Sequence, residues 1–236
     1  SVPHGFGILH SITPDRYRGH FGYDDPDAGK KYARDVQDLI DRGSTGGIAA
    51  FIAEPIQGVG GIVEMPPNYL NDAYSYVRAA GGVCIADEVQ TGFGRTGEHF
   101  WGFENSGVVP DMVVMAKGIG NGCPLAAVVT TKEIAKSMTE AVHFNTFGGN
   151  PVSCAQGLAS LEVILEDDMQ GNSKCLGNTL LDGLRKLQKK YACIGDVRGK
   201  GLMVGIELVE DENNTPASKL TVDAIETCKD MGLLVG

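Results

Sequence analysis

Val83-Cys84-Ile85-Ala86-Asp87 and Met112-Val113-Val114-Met115-Ala116-Lys117 are two short apolar runs, each closed by a single charged residue. Runs of this length and kind suit strands buried on both faces. Residues 48–53 and 125–130 read the same way. Helices are predicted between them. Residues 27–41 carry Tyr32, Val36, Leu39 and Ile40 at helical spacing. A second helix starts at Pro67, lines up Leu70, Ala73, Tyr74, Val77 and Ala80, and ends at Gly81-Gly82. Buried strands alternating with helices predict an α/β chain: a mostly parallel central sheet with helices on both faces. In such sheets ligands sit beyond the carboxyl ends of the strands. Asp87 and Lys117 both fall there, thirty positions apart.

The remainder is read more coarsely. Residues 1–26, with their Gly, Pro, His and Tyr, predict irregular surface. Asn150-Pro151 looks like a cap and first-turn pair opening a helix to about residue 168. A further helix carries Leu176, Leu180, Leu184 and Leu187. A strand at 202–209, a polar loop at 210–216 and a last helix to about 231 follow. We place a boundary near residue 170, with residues 1–170 part of a large domain and 171–236 part of a smaller α/β C-terminal domain. The chain opens on Ser1 and stops just after Leu233-Leu234-Val235, so it reads as truncated at both ends.

A formal net charge of −10 argues against a nucleic-acid binder, whose footprint is basic. The six Cys form no C-x-x-C pair and most lie in apolar, periodic segments, so they read as buried free thiols of a reducing compartment. The five His are scattered, and no metal site is proposed. No apolar run approaches the roughly 18 residues a membrane span needs, and no targeting peptide is visible.

Three segments carry candidate chemistry. In Lys117-Gly118-Ile119-Gly120-Asn121-Gly122, a Lys follows a buried strand and precedes a Gly-rich turn. Partial desolvation there would favour the neutral amine, which can attack a carbonyl; a surface Lys beside a flexible turn is the plain alternative. In Asp87-Glu88-Val89-Gln90-Thr91-Gly92, an Asp at a strand end needs donors or a cation, such as a protonated pyridine nitrogen. Capping of the next turn would also account for it. In Asn145-Thr146-Phe147-Gly148-Gly149-Asn150-Pro151, a hydroxyl and Gly backbone before a helix start suit a phosphate, or an ordinary capped loop.

Taken with Glu54-Pro55-Ile56-Gln57-Gly58, the later Phe93-Gly94-Arg95-Thr96-Gly97 and Val197-Arg198-Gly199-Lys200-Gly201-Leu202, these segments resemble class III aminotransferases, which are fold-type I pyridoxal-phosphate enzymes. The resemblance covers nearly the whole chain. It implies that Lys117 carries pyridoxal 5'-phosphate and shuttles a proton, that Asp87 pairs with the pyridine nitrogen, and that Val89 packs on one ring face. It implies that Gln90 lies near the ring hydroxyl and Glu54 on the substrate side. Thr146 would reach the phosphate bound by a neighbouring subunit, making a homodimer the functional unit and leaving a tetramer open. Arg198 could clamp a carboxylate, but a structural role in the small domain is the favoured reading. The implied reaction moves an amino group from alanine or a small β-amino acid to glyoxylate or pyruvate, in a mitochondrion. Alternatives are an ω-aminotransferase for ornithine or γ-aminobutyrate, a lyase of phosphorylated amino alcohols, or a non-catalytic fragment. The family's phosphate loop and stacking aromatic lie upstream of Ser1, and its substrate-carboxylate Arg lies downstream of Gly236.

Overall fold

The computed structural model describes residues 5–141 and 143–236. The first four residues of the expected irregular segment lie outside that range. In chain order the elements are α1 (Ala28–Gly43), β1 (Ala50–Ala53), β2 (Ile56–Gln57), β3 (Val63–Glu64), α2 (Tyr69–Ala79), β4 (Val83–Asp87), β5 (Met112–Met115), β6 (Ala127–Thr130) and α3 (Lys132–Ser137). They continue with α4 (Pro151–Glu166), α5 (Met169–Lys190), β7 (Ile194–Lys200), β8 (Met203–Leu208) and α6 (Ser218–Asp230).

Four strands form the central sheet in the order β1-β4-β5-β6. β1, β4 and β5 are parallel, and β6 closes the edge antiparallel to β5. The mostly parallel sheet expected from the alternation of elements is present. Tyr32, Ala33, Val36 and Ile40 of α1 pack with Leu70, Ala73, Tyr74 and Val77 of α2, with Phe51 and Ala53 against them. Each large apolar side chain buried in this layer contributes about 1.5–3 kcal/mol.

Burial of both sheet faces is corrected. Ile52, Val128 and Val129 are each more than half exposed. β1 and β6 are edge strands, so each has a neighbour on one side only, and the described chain lays no helix over these side chains. The start of α2 also differs from expectation. Pro67 precedes the helix, and Asn68 takes a left-handed backbone (φ 66°) before the first helical residue, Tyr69. The second β-branched stretch of the C-terminal half is a hairpin, β7 paired antiparallel with β8, where a single strand was expected. Alternating Gly, Asp and Arg in β7 hides its strand character from an apolar-run reading. β2–β3 and α3 were likewise too short to be legible.

Five of the six thiols depart from the buried reading: Cys123, Cys193 and Cys228 are half-buried, and the other two are exposed. Cys154 on α4 and Cys175 on α5 are exposed, because the inward positions of those helices belong to Ser153, Gly157, Ser173 and Gly177. Cys84 is buried as expected, and burial pushes its thiol pKa up to about 12.

Candidate active site

Glu54, Asp87 and the approach to Lys117 stand side by side at the carboxyl edge of the sheet. Parallel register pairs Ala53 with Ala86 and Asp87 with Val114, so three neighbouring strands deliver them to one edge. Asp87 is half-buried, and its Oδ1 accepts a hydrogen bond from Val89 N at 3.0 Å. Its second oxygen has no partner among the described residues. Glu54 Oε2 accepts from Gly58 N at 2.9 Å. Asp87 and Glu54 line one hollow together with Gln57, Tyr69 and Ile52.

Lys117, Val89 and Gln90 line a different and larger cleft of about 730 Å3, together with Ile62, Phe93 and Asn121. The chain therefore brings its predicted site residues to one sheet edge but into two hollows. Lys117 is exposed, which corrects the expected desolvation: the cleft it lines is open to solvent. Its amine makes no ion pair or hydrogen bond among the described residues.

Backbone strain is concentrated in this cleft. Seven described non-Gly residues have positive φ. Four are Asn or Asp, which tolerate that region; the others are Ile62 (φ 57°), Phe93 (φ 65°) and Lys117 (φ 43°). All three line the same cleft. Each such conformation costs about 1–3 kcal/mol and persists only where the surroundings hold it. For Lys117 that support is tight packing. A side chain at Gly118 would come within 3.2 Å of the Phe93 ring, and one at Gly157 of α4 would come within 2.3 Å of Leu125. Phe93 in turn sits in edge-on contact with Phe100 and Trp101, at centroid distances of 5.7 and 5.1 Å.

Glu88 was not legible as a site component. It is fully buried, beside Asp87. Its carboxylate accepts from the Thr91 hydroxyl at 2.7 Å and from the backbone N–H groups of Gly102 and Phe103, both at 2.8 Å. Burial pushes its pKa up, opposed by these three bonds. The carboxylate thus ties the end of β4 to the turn that presents Phe100 and Trp101. The only sequence signal was an acidic pair, and no pattern says which member turns inward.

Arg198 is engaged throughout. Its side chain is 9% exposed, and Nη1 donates to Asp196 Oδ2 and Glu207 Oε2, both at 2.8 Å. Nε and Nη2 donate to the carbonyl of Gly61 at 3.0 and 2.6 Å, and Nε also to that of Ile62 at 3.2 Å. Burial works against its charge, but the two carboxylates outweigh that and hold its pKa above the ordinary value. Every part of the guanidinium is taken, which matches the structural role favoured from sequence. Thr146 is exposed, on a loop where Asn145 Oδ1 accepts from Phe147 N and Gly148 N, both at 3.1 Å. It lines neither hollow of its own chain. Asn150 caps α4 as predicted, accepting from Ser153 N at 2.9 Å with Pro151 in the first turn.

A parallel-stranded sheet with a Lys and an Asp at the ends of adjacent strands is the arrangement of a fold-type I enzyme, and residues 10–236 match the profile described as aminotransferase class-III. The chain belongs to the class III aminotransferase family. It is 56% identical to the mitochondrial alanine–glyoxylate aminotransferase 2 homolog 2 of Arabidopsis thaliana, over 97% of this chain and 47% of that protein. It is 49% identical to the human mitochondrial alanine–glyoxylate aminotransferase 2, over 100% of this chain and 50% of that protein. Among solved structures, an amine transaminase from an uncultivated Pseudomonas species, in its PLP-bound form, superposes with a TM-score of 0.88. It is 34% identical, over 95% of this chain and 53% of that one. The chain spans about half the length of the curated relatives it matches.

Proposed function

We propose that this chain is part of a mitochondrial pyridoxal-phosphate transaminase that moves an amino group from alanine or a small β-amino acid to glyoxylate or pyruvate. The observation that carries the reading is the juxtaposition of Asp87 and the Lys117 turn at the carboxyl ends of adjacent parallel strands. The names of the relatives in Arabidopsis thaliana and Homo sapiens support the alanine and glyoxylate assignment and the organelle. We place the large part of the fold at residues 1–170 and the small part at 171–236.

The side chains fit the cofactor. Asp87 offers a half-buried carboxylate with one oxygen unengaged, and Lys117 offers an unpaired amine. When bound, the cofactor supplies an electron sink for the substrate Cα–H bond. Asp87 would keep a proton on the ring nitrogen, because a nearby anion favours the charged form of a base. Lys117 would hold the cofactor, and its Nζ would take and return the proton at the substrate Cα. Val89 and Gln90, which line the Lys117 cleft, would bound the ring. Glu54, fixed through Gly58 N, would face the substrate.

A donor and acceptor screen on the full-length protein tests the reaction. Alanine with glyoxylate is expected to turn over at least tenfold faster, as kcat/KM, than ornithine, γ-aminobutyrate or phosphoethanolamine. That ratio corresponds to about 1.4 kcal/mol of differential transition-state binding. The reverse order would replace this reading by one of the alternatives.

The functional unit proposed is a homodimer in which Thr146 serves the site of the partner subunit. Thr146 lies away from both hollows of its own chain, on an exposed Asn- and Gly-rich loop, which supports a site completed in trans. In a twofold dimer one surface patch serves both sites. Mixing full-length Lys117→Ala with Thr146→Ala by unfolding and refolding should therefore restore activity. Each heterodimer contains one site with both defects and one intact site. Heterodimers that form without regaining activity would refute the shared site.

A further inference from the structure

We propose that Arg198 is a positioning residue for this active site: it holds the turn from Gly58 to Ile62 in its left-handed backbone and thereby sets Glu54 and the Ile62 wall of the Lys117 cleft. The inference rests on the transaminase reading above and assigns a task to a side chain that touches neither hollow's predicted chemistry.

The turn is fastened at both ends. At its start, Gly58 N donates to Glu54 Oε2 at 2.9 Å, and a side chain at Gly58 would collide with the Gln90 amide at 2.5 Å. Two residues assigned to the site thus abut one glycine. Gly58 O accepts from Gly61 N at 3.1 Å and from Ile62 N at 3.2 Å, closing the turn. At its end, Ile62 sits at φ 57°, a region that a β-branched residue shuns. The carbonyls of Gly61 and Ile62 are the two that Arg198 binds. Ile62 lines the cleft with Lys117, Val89 and Gln90.

Arg198 is itself immobilised from the far side. Asp196 and Glu207 take its Nη1, Tyr23 donates its hydroxyl to Asp196 at 3.0 Å, and Arg18 bonds Glu207. All of these anchor on the β7–β8 hairpin or on the N-terminal segment. A planar, permanently charged fork clamped between two carboxylates can hold two carbonyls at fixed distance. The position of the hairpin is thereby transmitted to the turn, and through the turn to Glu54 and Gln90. Without the fork, the carbonyls lose their partner and Ile62 is free to relax toward negative φ, which moves Gly58 and loosens Glu54.

The test uses the full-length, cofactor-loaded protein. Arg198→Met and Arg198→Lys are compared with the parent by donor KM, kcat and hydrogen exchange of the peptide covering residues 56–64. Arg198→Met is expected to raise the donor KM about tenfold, change kcat less than threefold, and speed exchange of the Gly61 and Ile62 amides about tenfold. Arg198→Lys, which keeps the charge but loses the fork, should show the same split at smaller size and secures the test if the Met variant fails to fold. The Ile62→Gly change removes the conformational preference that Arg198 opposes. Arg198→Lys/Ile62→Gly should therefore regain a donor KM within threefold of Ile62→Gly alone. A donor KM within twofold of the parent in a folded, loaded Arg198 variant would overturn the proposal, as would an equal KM penalty for Arg198→Lys with Ile or Gly at 62. A parent protein that transfers no amino group would instead refute the transaminase reading, and the exchange experiment would still report on the turn.

Discussion

In the full-length protein, Lys117→Ala is expected to abolish retention of a borohydride-reducible cofactor and to lower kcat by about 100- to 10,000-fold, the range for loss of a positioned proton-transfer group. Lys117 is the Lys that directly follows a parallel strand at the ligand edge of the sheet. It occupies a left-handed backbone that the Phe93 ring, Gly118 and the α4 helix hold in place. Its amine has no competing ion pair among the described residues. By contrast, Lys174, Lys219 and Lys229 are committed to surface carboxylates. Borohydride reduction of the parent, followed by digestion and mass spectrometry, should leave the pyridoxyl group on the peptide containing Lys117. An adduct on Lys132, Lys136 or Lys200 would remove Lys117 from the role. Because the alanine leaves the strand and turn backbone intact, folding measured by circular dichroism should be unchanged.

Asp87→Asn is expected to keep the fold and the Lys117 adduct while lowering kcat about a hundredfold or more, a loss near 3 kcal/mol of electrostatic stabilisation. The change is isosteric. The bond from Val89 N to Oδ1 at 3.0 Å can persist to an amide oxygen. What disappears is the negative charge facing the hollow, and with it the preference for a protonated ring nitrogen. The defect should appear in kcat and kcat/KM together, since the interaction matters most as charge develops in the transition state. A solvent-independent primary isotope effect at the substrate Cα should grow as proton abstraction becomes limiting. Activity within a few-fold of the parent would give Asp87 another task.

The positions of Lys117 and Asp87 at the sheet edge were legible before any fold was known, and the reason is local. A charged side chain closing an apolar run must lie at a strand end, because inside the run its burial would be costly. Parallel topology then assigns it to the ligand edge. The same logic recovered the capped start of α4 at Asn150-Pro151 and the core stripe of α1, whose spacing alone orients Tyr32, Val36 and Ile40. It failed where strands lack apolar runs, as in β7, and where helices turn small residues inward. α4 and α5 bury Ser153, Gly157, Ser173 and Gly177, leaving Cys154 and Cys175 outside.

The sequence by itself determined the class of fold, the edge of the sheet at which chemistry can occur, and the two residues placed there. Those features follow from the periodicity and polarity of contiguous residues. Only the tertiary structure decided which carboxylate of the Asp87-Glu88 pair faces a hollow and which is buried on Thr91, Gly102 and Phe103. It alone showed that Ile62, Phe93 and Lys117 share one strained cleft, and that Arg198 spans 137 positions of sequence to reach the Gly61 carbonyl. These are contacts between segments far apart in the chain. Their partners are selected by packing and by the need to satisfy buried charge, and no local pattern encodes that choice.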